Sequence, residues 1–287
     1  MSCNLCPRKC GAKRGETSGK GFCSLGTLPK TARVSPHMWE EPCISGTKGS
    51  GAIFFSGCTL RCLFCQNHKI SAENCGRIIT AENLADEFKR LEDMGVHNIN
   101  LVSPTPYINS IKKSLEIYKP NIPIVFNCGG YENTQTIKDL NGYVDIYLPD
   151  FKYSDNELAV EYSKAPDYVQ IATSAIGEMI NQVGKNEFDD DGIMKKGVII
   201  RQLVLPNHTK NSIGVLDIIK ENFPDTPVSL MGQYIPMHKA KNHSKLNRKI
   251  TKREYEKVKN HLFELGLDGF VQELSSADEK YVPSWDY

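Results

Sequence analysis

Gly51-Ala-Ile-Phe-Phe-Ser-Gly57 is a short apolar run that ends in glycine, and Cys58-Thr-Leu-Arg-Cys62-Leu-Phe-Cys65 follows it directly. The apolar run predicts a buried strand, because short aromatic-rich stretches bounded by glycine are typical of strands within a core. The three cysteines therefore begin where a strand ends. Ligands of α/β folds gather at the carboxyl ends of strands, so the cysteine loop is a candidate ligand site.

The cysteine loop has the spacing C-x3-C-x2-C and no obvious fourth cysteine close by. Soft thiolates suit iron–sulfur chemistry, and three of them can hold three corners of a [4Fe–4S] cluster. The fourth iron then stays open to a small molecule. The alternatives are a zinc loop or three unrelated buried thiols, because free cysteine is often buried. A disulfide framework would require a secretory context.

The motif C-x3-C-x-aromatic-C after a strand, with Phe64 as its aromatic residue, resembles the signature of the radical S-adenosylmethionine (radical SAM) enzymes. Beyond this motif, the chain is similar to the uncharacterised branch of proteins related to the pyruvate formate-lyase-activating enzyme. The similar segments are Cys3-Asn-Leu-Cys6-Pro-Arg-Lys-Cys10, Val144-Asp-Ile-Tyr-Leu-Pro-Asp-Phe-Lys-Tyr153, Arg201-Gln-Leu-Val-Leu-Pro206 and Ser229-Leu-Met-Gly-Gln-Tyr-Ile-Pro236.

This resemblance implies a [4Fe–4S] cluster on Cys58, Cys62 and Cys65, with S-adenosylmethionine on the open iron. It implies reductive cleavage of that cofactor to a 5′-deoxyadenosyl radical, which abstracts hydrogen from a substrate. The implied partners are a flavodoxin- or ferredoxin-like electron donor and a protein substrate such as a glycyl-radical enzyme. One alternative is an iron–sulfur electron-transfer or redox-sensing protein, although such carriers usually show four cysteines. Another is a zinc-stapled binding protein.

Composition limits the classes of partner. Lys plus Arg number 35 and Asp plus Glu number 34, which gives a net charge of +1 over 287 residues. This balance carries no electrostatic footprint for nucleic acid or an anionic membrane. Neither an 18-residue apolar run nor an export signal is evident, so no membrane span is expected. The ten cysteines then indicate a reducing cytoplasm and metal ligation.

Strand-like apolar runs alternate with helical patterns from about residue 50 onward. Residues 80–94 have helical spacing, and Thr251-x-x-Glu254 predicts a capping box for a later helix. Six strand–helix units in series imply a parallel sheet with right-handed crossovers. The fold class is therefore α/β, and the resemblance implies a partial (β/α)6 TIM-like barrel over residues 51–287, although periodicity alone also allows a doubly wound sheet. The predicted strands are 51–57, 98–103, 122–128, 144–150, 197–205 and 227–234, with an edge strand at 269–274.

Residues 1–50 form a cysteine-rich segment with little apolar periodicity. Four of its cysteines, Cys3, Cys6, Cys10 and Cys23, have the spacing C-x2-C-x3-C-x12-C. Such a segment buries little apolar surface, and a bound metal would supply the missing stabilisation. Zinc and a second iron–sulfur cluster both accept four thiolates. The alternative is a thiol-rich tail without a metal.

Asp150 and Lys152 end the fourth predicted strand. If the strand continues through Lys152, two-residue spacing places both side chains on one face. An opposite-charge pair there suits the zwitterionic amino-acid group of a cofactor. The pair is also similar to an Asp-x-Lys motif of glycyl-radical activating enzymes. The alternative is a surface ion pair, which stabilises a protein little.

Arg201 interrupts an otherwise apolar strand, residues 198–205. A charge buried in a sheet needs a partner. That partner is either a ligand carboxylate or ribose hydroxyl, or an acid on a neighbouring strand. Asn127 closes the third strand ahead of Gly129-Gly130, and the missing side chains of these glycines permit close approach of the backbone to a ligand. The alternative is an ordinary strand-to-helix turn.

The second predicted strand ends in Ser103-Pro-Thr-Pro-Tyr107. Many relatives carry a Gly-Gly-Glu run there that contacts the cofactor amine, and this chain has neither the glutamate nor the glycine pair. Ser103 and Thr105 are the candidate replacements, together with backbone carbonyls. With Phe64 of the cysteine motif, they complete the predicted cofactor-binding residues.

Overall fold

A computed structural model of the chain describes residues 3–278 and residue 285. The described strands are β1 (Lys30–His37), β2 (Ser50–Phe55), β3 (Arg77–Ile78), β4 (Ile99–Val102), β5 (Ile124–Cys128), β6 (Ile146–Pro149), β7 (Glu187–Phe188), β8 (Met194–Val198), β9 (Ile200–Leu203), β10 (Val228–Met231) and β11 (Gly269–Val271). The α-helices are α1 (Pro42–Ser45), α2 (His68–Ser71), α3 (Ala81–Asp93), α4 (Ile108–Ile117), α5 (Thr134–Lys138), α6 (Asn156–Ser163), α7 (Tyr168–Val183), α8 (Thr209–Asn222) and α9 (Lys252–Glu264). None of them is long and apolar enough to cross a membrane.

The strands form a parallel-rich sheet in two connected parts. One part has the order β3-β1-β2-β4-β5-β6-β8-β7, and the other has the order β11-β10-β9. Strands β2, β4, β5, β6 and β8 run parallel, and so do β9, β10 and β11. A parallel bridge between Asp150 and Arg201 joins the two parts. The fold is the partial (β/α)6 barrel that we predict from the sequence.

Each of the six predicted strands overlaps an observed strand. The predicted strand 197–205 lies across β8 and β9, which only Ile199 separates. The break occurs because β8 pairs with β6, whereas β9 pairs with β10. The chain thus passes from one part of the sheet to the other within this run. The predicted edge strand is confirmed as β11.

The two predicted helices begin at the residues expected from their capping chemistry. The Thr80 side chain accepts a hydrogen bond from the Asn83 amide at the start of α3. Thr251 and Glu254 form the predicted capping box of α9. Such reciprocal bonds satisfy backbone donors that the first helical turn leaves unpaired.

Strand β1 was not predicted. It pairs antiparallel with β2, from Thr31 opposite Phe55 to His37 opposite Ser50. Its sequence, Lys30-Thr-Ala-Arg-Val-Ser-Pro-His37, carries no apolar run. A strand near the edge of a sheet needs fewer apolar residues, and β3 pairs with only the first two residues of β1. These residues fall inside segment 1–50, so part of that segment belongs to the sheet. Residues 38–41 consequently lie at the amino end of β2, opposite the end that carries the cysteines.

Candidate active site

A cavity of about 520 Å³ lies inside the partial barrel. Its lining includes the three cysteines of the loop that follows β2, and also Glu40 and Glu41, which lie near the amino end of β2. The fold thus gathers residues that are far apart in the sequence around a single cavity. The predicted site residues that line it are Cys58, Cys62, Cys65, Phe64, Ser103, Asn127, Asp150, Lys152 and Arg201.

The sulfur atoms of the cysteine loop accept hydrogen bonds from neighbouring hydroxyls. Ser163 Oγ donates to Cys62 Sγ over 2.9 Å, and Ser71 Oγ donates to Cys65 Sγ over 3.3 Å. The hydroxyl of Tyr153 lies 2.6 Å from Ser163 Oγ and is fully buried. Hydrogen bonds to thiolate sulfur stabilise its negative charge and tune a bound cluster.

The donor set fits an iron–sulfur cluster. Burial raises the pKa of Cys62, and it raises the pKa of Cys65 to about 12. A thiolate at these positions therefore needs nearby positive charge, which iron would supply. Among residues 3–278 and 285, no three Cys, His, Asp or Glu side chains converge on a single ion. A [4Fe–4S] cluster requires no such convergence, because each thiolate binds a different iron.

Asp150 lies between two cations at the carboxyl end of β6. Lys152 Nζ contacts Asp150 Oδ2, and Arg201 Nε donates to Asp150 Oδ1 over 2.9 Å. Strand β6 ends at Pro149 and does not continue through Lys152, yet the two predicted side chains do meet. Burial alone would raise the pKa of Asp150, but Arg201 and Lys152 hold it below its ordinary value. The carboxyl group is therefore ionised at neutral pH.

The Arg201 guanidinium is engaged by protein groups on all three nitrogens. Besides Asp150, it donates from Nη1 to Glu40 Oε2 over 3.2 Å and from Nη2 to Asn127 Oδ1 over 2.6 Å. The Arg201 and Glu40 side chains are each only 11% exposed. Of the two alternatives for Arg201, the structure shows the internal salt bridge. Its contact with a ligand stays a prediction.

Gly130 closely approaches the backbone of Asp150. Its φ is +76°, and a Cβ on it would lie 2.1 Å from the Asp150 carbonyl oxygen. The Tyr168 hydroxyl contacts the same loop: it lies 2.9 Å from the Gly129 carbonyl oxygen, 2.8 Å from that of Asp150 and 2.9 Å from the Lys152 amide. These contacts position the two charged side chains at the cavity.

Ser103 and Thr105 have different surroundings. Ser103 lines the cavity and has a left-handed backbone with φ of +58°. Thr105 is 3% exposed, is not among the described residues that line the cavity, and donates from Oγ1 to Glu132 Oε2 over 2.8 Å. Cofactor binding by Thr105 stays a prediction, and its hydroxyl is used inside the protein in this structure.

The buried Glu132 carboxyl group should make the stability of the protein depend on pH. Burial raises its pKa from 4.5 to about 8. The native state therefore holds a proton that the unfolded chain loses, and stability falls as pH rises through this window, by up to about 1.4 kcal/mol per pH unit. We expect Glu132→Gln to gain stability relative to the wild type between about pH 5 and about pH 8, as measured by urea denaturation. The exposed Glu187→Gln is the control, and a difference independent of pH would contradict the prediction.

Several site residues were missed from the sequence. Glu40, Glu41, Ser163 and Tyr168 contact or line the cavity, yet none belongs to a motif with recognisable spacing. They come from the loop after β1, the end of α6 and the start of α7. Only the folded topology brings these segments together.

The N-terminal cysteine segment packs against the cysteine loop. Arg8 Nε donates to the Thr59 carbonyl over 2.8 Å, and Arg8 Nη2 donates to the Ser163 carbonyl over 2.8 Å. The Cys23 carbonyl accepts from Arg61 Nη2 over 3.1 Å. Burial, followed by the charges of Glu132, Cys23 and Cys3, raises the pKa of Cys6 to about 12, whereas Cys10 is exposed.

Three comparisons with known proteins describe the same fold. Residues 52–175 match the family model of the Radical SAM superfamily. The chain is 33% identical to the uncharacterized protein MJ0674 of Methanocaldococcus jannaschii over 266 residues, which are 90% of this chain and 73% of that protein.

Solved structures also match. Streptococcus suis SuiB bound to precursor peptide SuiA has a TM-score of 0.51 and 18% identity, covering 77% of this chain and 48% of that one. A radical SAM methyltransferase from Sphaerobacter thermophilus has a TM-score of 0.52 and 13% identity, covering 77% and 65%. The enzyme anSMEcpe with bound AdoMet has a TM-score of 0.51 and 16% identity, covering 75% and 61%. The chain thus spans about half of SuiB and under two thirds of the other two.

Proposed function

Because this chain belongs to the radical SAM superfamily, we propose that it is an enzyme that cleaves S-adenosylmethionine reductively at a [4Fe–4S] cluster. One observation carries the proposal: Cys58, Cys62 and Cys65 line the same cavity as the partly buried charges Asp150 and Lys152. When bound, the cluster and S-adenosylmethionine supply a 5′-deoxyadenosyl radical for hydrogen abstraction. The protein's own task is to position, tune and shield them.

Positioning falls to the charged and polar residues of the cavity. Lys152 and Asp150 offer opposite charges to a zwitterionic amino-acid group, and Asn127 and Ser103 add hydrogen-bonding groups. Phe64 is 8% exposed and packs edge-on against Tyr162 and Tyr234. An apolar wall of this kind keeps water away from a reactive intermediate.

A protein or peptide is the proposed class of substrate, with glycyl-radical activation as one form. SuiB is a structural neighbour bound to a precursor peptide, and anSMEcpe has been solved with a bound peptide. A flavodoxin- or ferredoxin-like protein is the proposed electron donor, and the cytoplasm the proposed location. The balanced charge, 35 basic against 34 acidic residues, offers no reason to expect nucleic acid.

The test is anaerobic. The protein is reconstituted with iron and sulfide, reduced and mixed with S-adenosylmethionine, and 5′-deoxyadenosine is assayed beside electron paramagnetic resonance of the cluster. We expect the cofactor to perturb the reduced-cluster signal and 5′-deoxyadenosine to form. If the cluster forms but its signal is unchanged by the cofactor and no 5′-deoxyadenosine appears, the electron-transfer or redox-sensing alternative is favoured.

Ser163→Ala should lower the reduction potential of the cluster. The Ser163 hydroxyl donates to Cys62 Sγ over 2.9 Å, and this bond stabilises the more negative, reduced cluster more strongly than the oxidised one. A difference of about 1 kcal/mol corresponds to a shift of roughly 40 mV. Redox titration followed by electron paramagnetic resonance measures it, with Tyr153→Phe as a milder variant. An unchanged potential in Ser163→Ala would show that the bond does not tune the cluster.

We also propose a second metal on Cys3, Cys6, Cys10 and Cys23, either zinc or an iron–sulfur cluster. What supports it is the four-cysteine spacing and the electrostatic proximity of Cys6 to Cys3 and Cys23. The Cys3→Ser, Cys6→Ser double variant should lose this metal and keep the cluster at Cys58. Elemental analysis with iron and sulfide quantification measures both. Simultaneous loss of both metals would mean that the two segments share one site.

A further inference from the structure

The cavity lining contains more acidic groups than permanent cations. Its described lining residues include three carboxyl groups, Glu40, Glu41 and Asp150, and two permanent cations, Lys152 and Arg201. Burial raises the pKa of both Glu40 and Glu41, and Arg201 opposes these shifts without cancelling them. Buried charge without a partner is costly, so the cavity favours a ligand that brings a positive charge.

One carboxyl oxygen of Glu41 is left without a hydrogen bond by the described residues. Arg201 pairs with Asp150 and Glu40 directly, whereas Glu41 Oε2 accepts no hydrogen bond from any described residue although Glu41 is only 8% exposed. Such an atom is rare in a folded protein. His37, which lines the same cavity, adds no charge at neutral pH, because burial and then Arg33 lower its pKa.

Glu41 lies away from the cysteine loop that would hold the cluster, although its neighbour Glu40 reaches the Arg201–Asp150 pair of the proposed cofactor site. The end of β1 pairs with the start of β2, at His37 opposite Ser50, and Glu41 follows shortly after. Cys58 lies beyond the other end of β2. Six residues of β2 separate the two ends by roughly 17 Å. A ligand group at Glu41 therefore belongs to the substrate side of the cavity and not to the cluster side.

Apolar side chains accompany this acid. Trp39 is 60% exposed and Met38 is 45% exposed, and both line the cavity together with Phe270. A flexible alkyl stem packs well against such groups, and a cationic head beyond it reaches a buried carboxylate. An aromatic ring also attracts a passing cation. The chemistry that matches both features is an alkylguanidinium or alkylammonium group.

We propose that Glu41 binds the cationic side chain of an arginine or lysine in the substrate, with Trp39 and Phe270 contacting its alkyl stem. The inference rests on the proposed function, because it assigns this end of the cavity to the substrate of that reaction. The inference adds the chemical class of the substrate group that binds at Glu41.

The test uses butylguanidinium and its neutral isostere butylurea as probes. Binding to the cluster-loaded, S-adenosylmethionine-bound protein is measured anaerobically by isothermal titration calorimetry. We expect the wild type to bind butylguanidinium at least about tenfold more tightly than butylurea. Glu41→Gln should lose this preference and keep its affinity for S-adenosylmethionine. Glu41→Asp, which retains the charge, and the exposed Glu187→Gln should preserve the preference.

Three results would overturn the proposal. The first is a wild type that binds both probes equally or binds neither, an outcome that does not depend on the folding of any variant. The second is a Glu41→Gln protein that folds and retains the preference. The third is a loss of S-adenosylmethionine affinity in Glu41→Gln, which would assign Glu41 to the cofactor. Failure of the proposed function would be seen in a different assay: the wild type would form no 5′-deoxyadenosine, whether or not it binds the two probes.

Discussion

Alanine at Cys58, Cys62 or Cys65 is expected to reduce 5′-deoxyadenosine formation to background. Each thiolate holds one corner of the proposed cluster, and a cluster with two protein ligands has lost the loop geometry that leaves a single iron open. In the Cys62 and Cys65 variants, the serine hydroxyl that donates to the replaced sulfur also loses its acceptor. Iron content, cluster absorbance and 5′-deoxyadenosine are measured on protein reconstituted in parallel with the wild type.

Cys75→Ala is the matched control for these variants. Cys75 is a free, partly buried cysteine in the loop after α2 and does not line the cavity among the described residues. It should leave both cluster content and cleavage unchanged. Circular dichroism checks that each variant is folded. Wild-type cleavage in any one of the three alanine variants would mean that the ligand set is different.

Arg201→Met is expected to destabilise the protein by about 3–5 kcal/mol, because removing one partner of a buried ion pair leaves the others uncompensated. The variant leaves Asp150, Glu40 and Glu41 with Lys152 as the remaining cation of the cavity lining. The same loss displaces Asp150, so affinity for S-adenosylmethionine should fall by about tenfold or more. Urea denaturation measures the free energy of unfolding, and equilibrium binding measures the affinity.

Arg248→Met tests whether burial is the cause of the large loss of stability expected for Arg201→Met. Arg248 is 38% exposed and pairs with Glu254 over 2.8 Å. A pair this exposed should contribute no more than about 1 kcal/mol. The double variant Arg201→Met, Glu40→Gln should recover part of the lost stability, because it removes one of the unpaired carboxylates. Equal costs for Arg201→Met and Arg248→Met would contradict the argument.

The cysteine loop and the strands were predictable because their signals are local. The cluster spacing occupies eight residues, and each parallel strand buried on both faces is a short apolar run. The capping box of α9 was likewise contained in four residues. Strand β1 was not predictable, because a strand near a sheet edge buries less surface and its sequence mixes Lys, Arg, Ser and Pro with few apolar residues.

The site was predictable only in part. Asp150, Lys152, Asn127 and Ser103 line the cavity, and the sequence pointed to them because each lies at or just after the end of a recognisable strand, where ligands gather in a parallel sheet. Thr105 has the same position in the sequence but turns toward Glu132. Neighbouring residues in a loop can face opposite sides, and sequence position alone does not distinguish them.

By itself the sequence determined the chemistry this protein brings to its site: three thiolates on one loop, charges at strand ends and a parallel α/β scaffold. Only the tertiary structure decided how the charges are shared. Arg201 forms ion pairs with Asp150 and Glu40, which are 51 and 161 residues away, and Glu41 Oε2 is left without a hydrogen bond from the described residues. Electrostatic compensation depends on distances through space between groups from different strands and loops. Spacing along the chain determines those distances only once the strands have been arranged in a barrel.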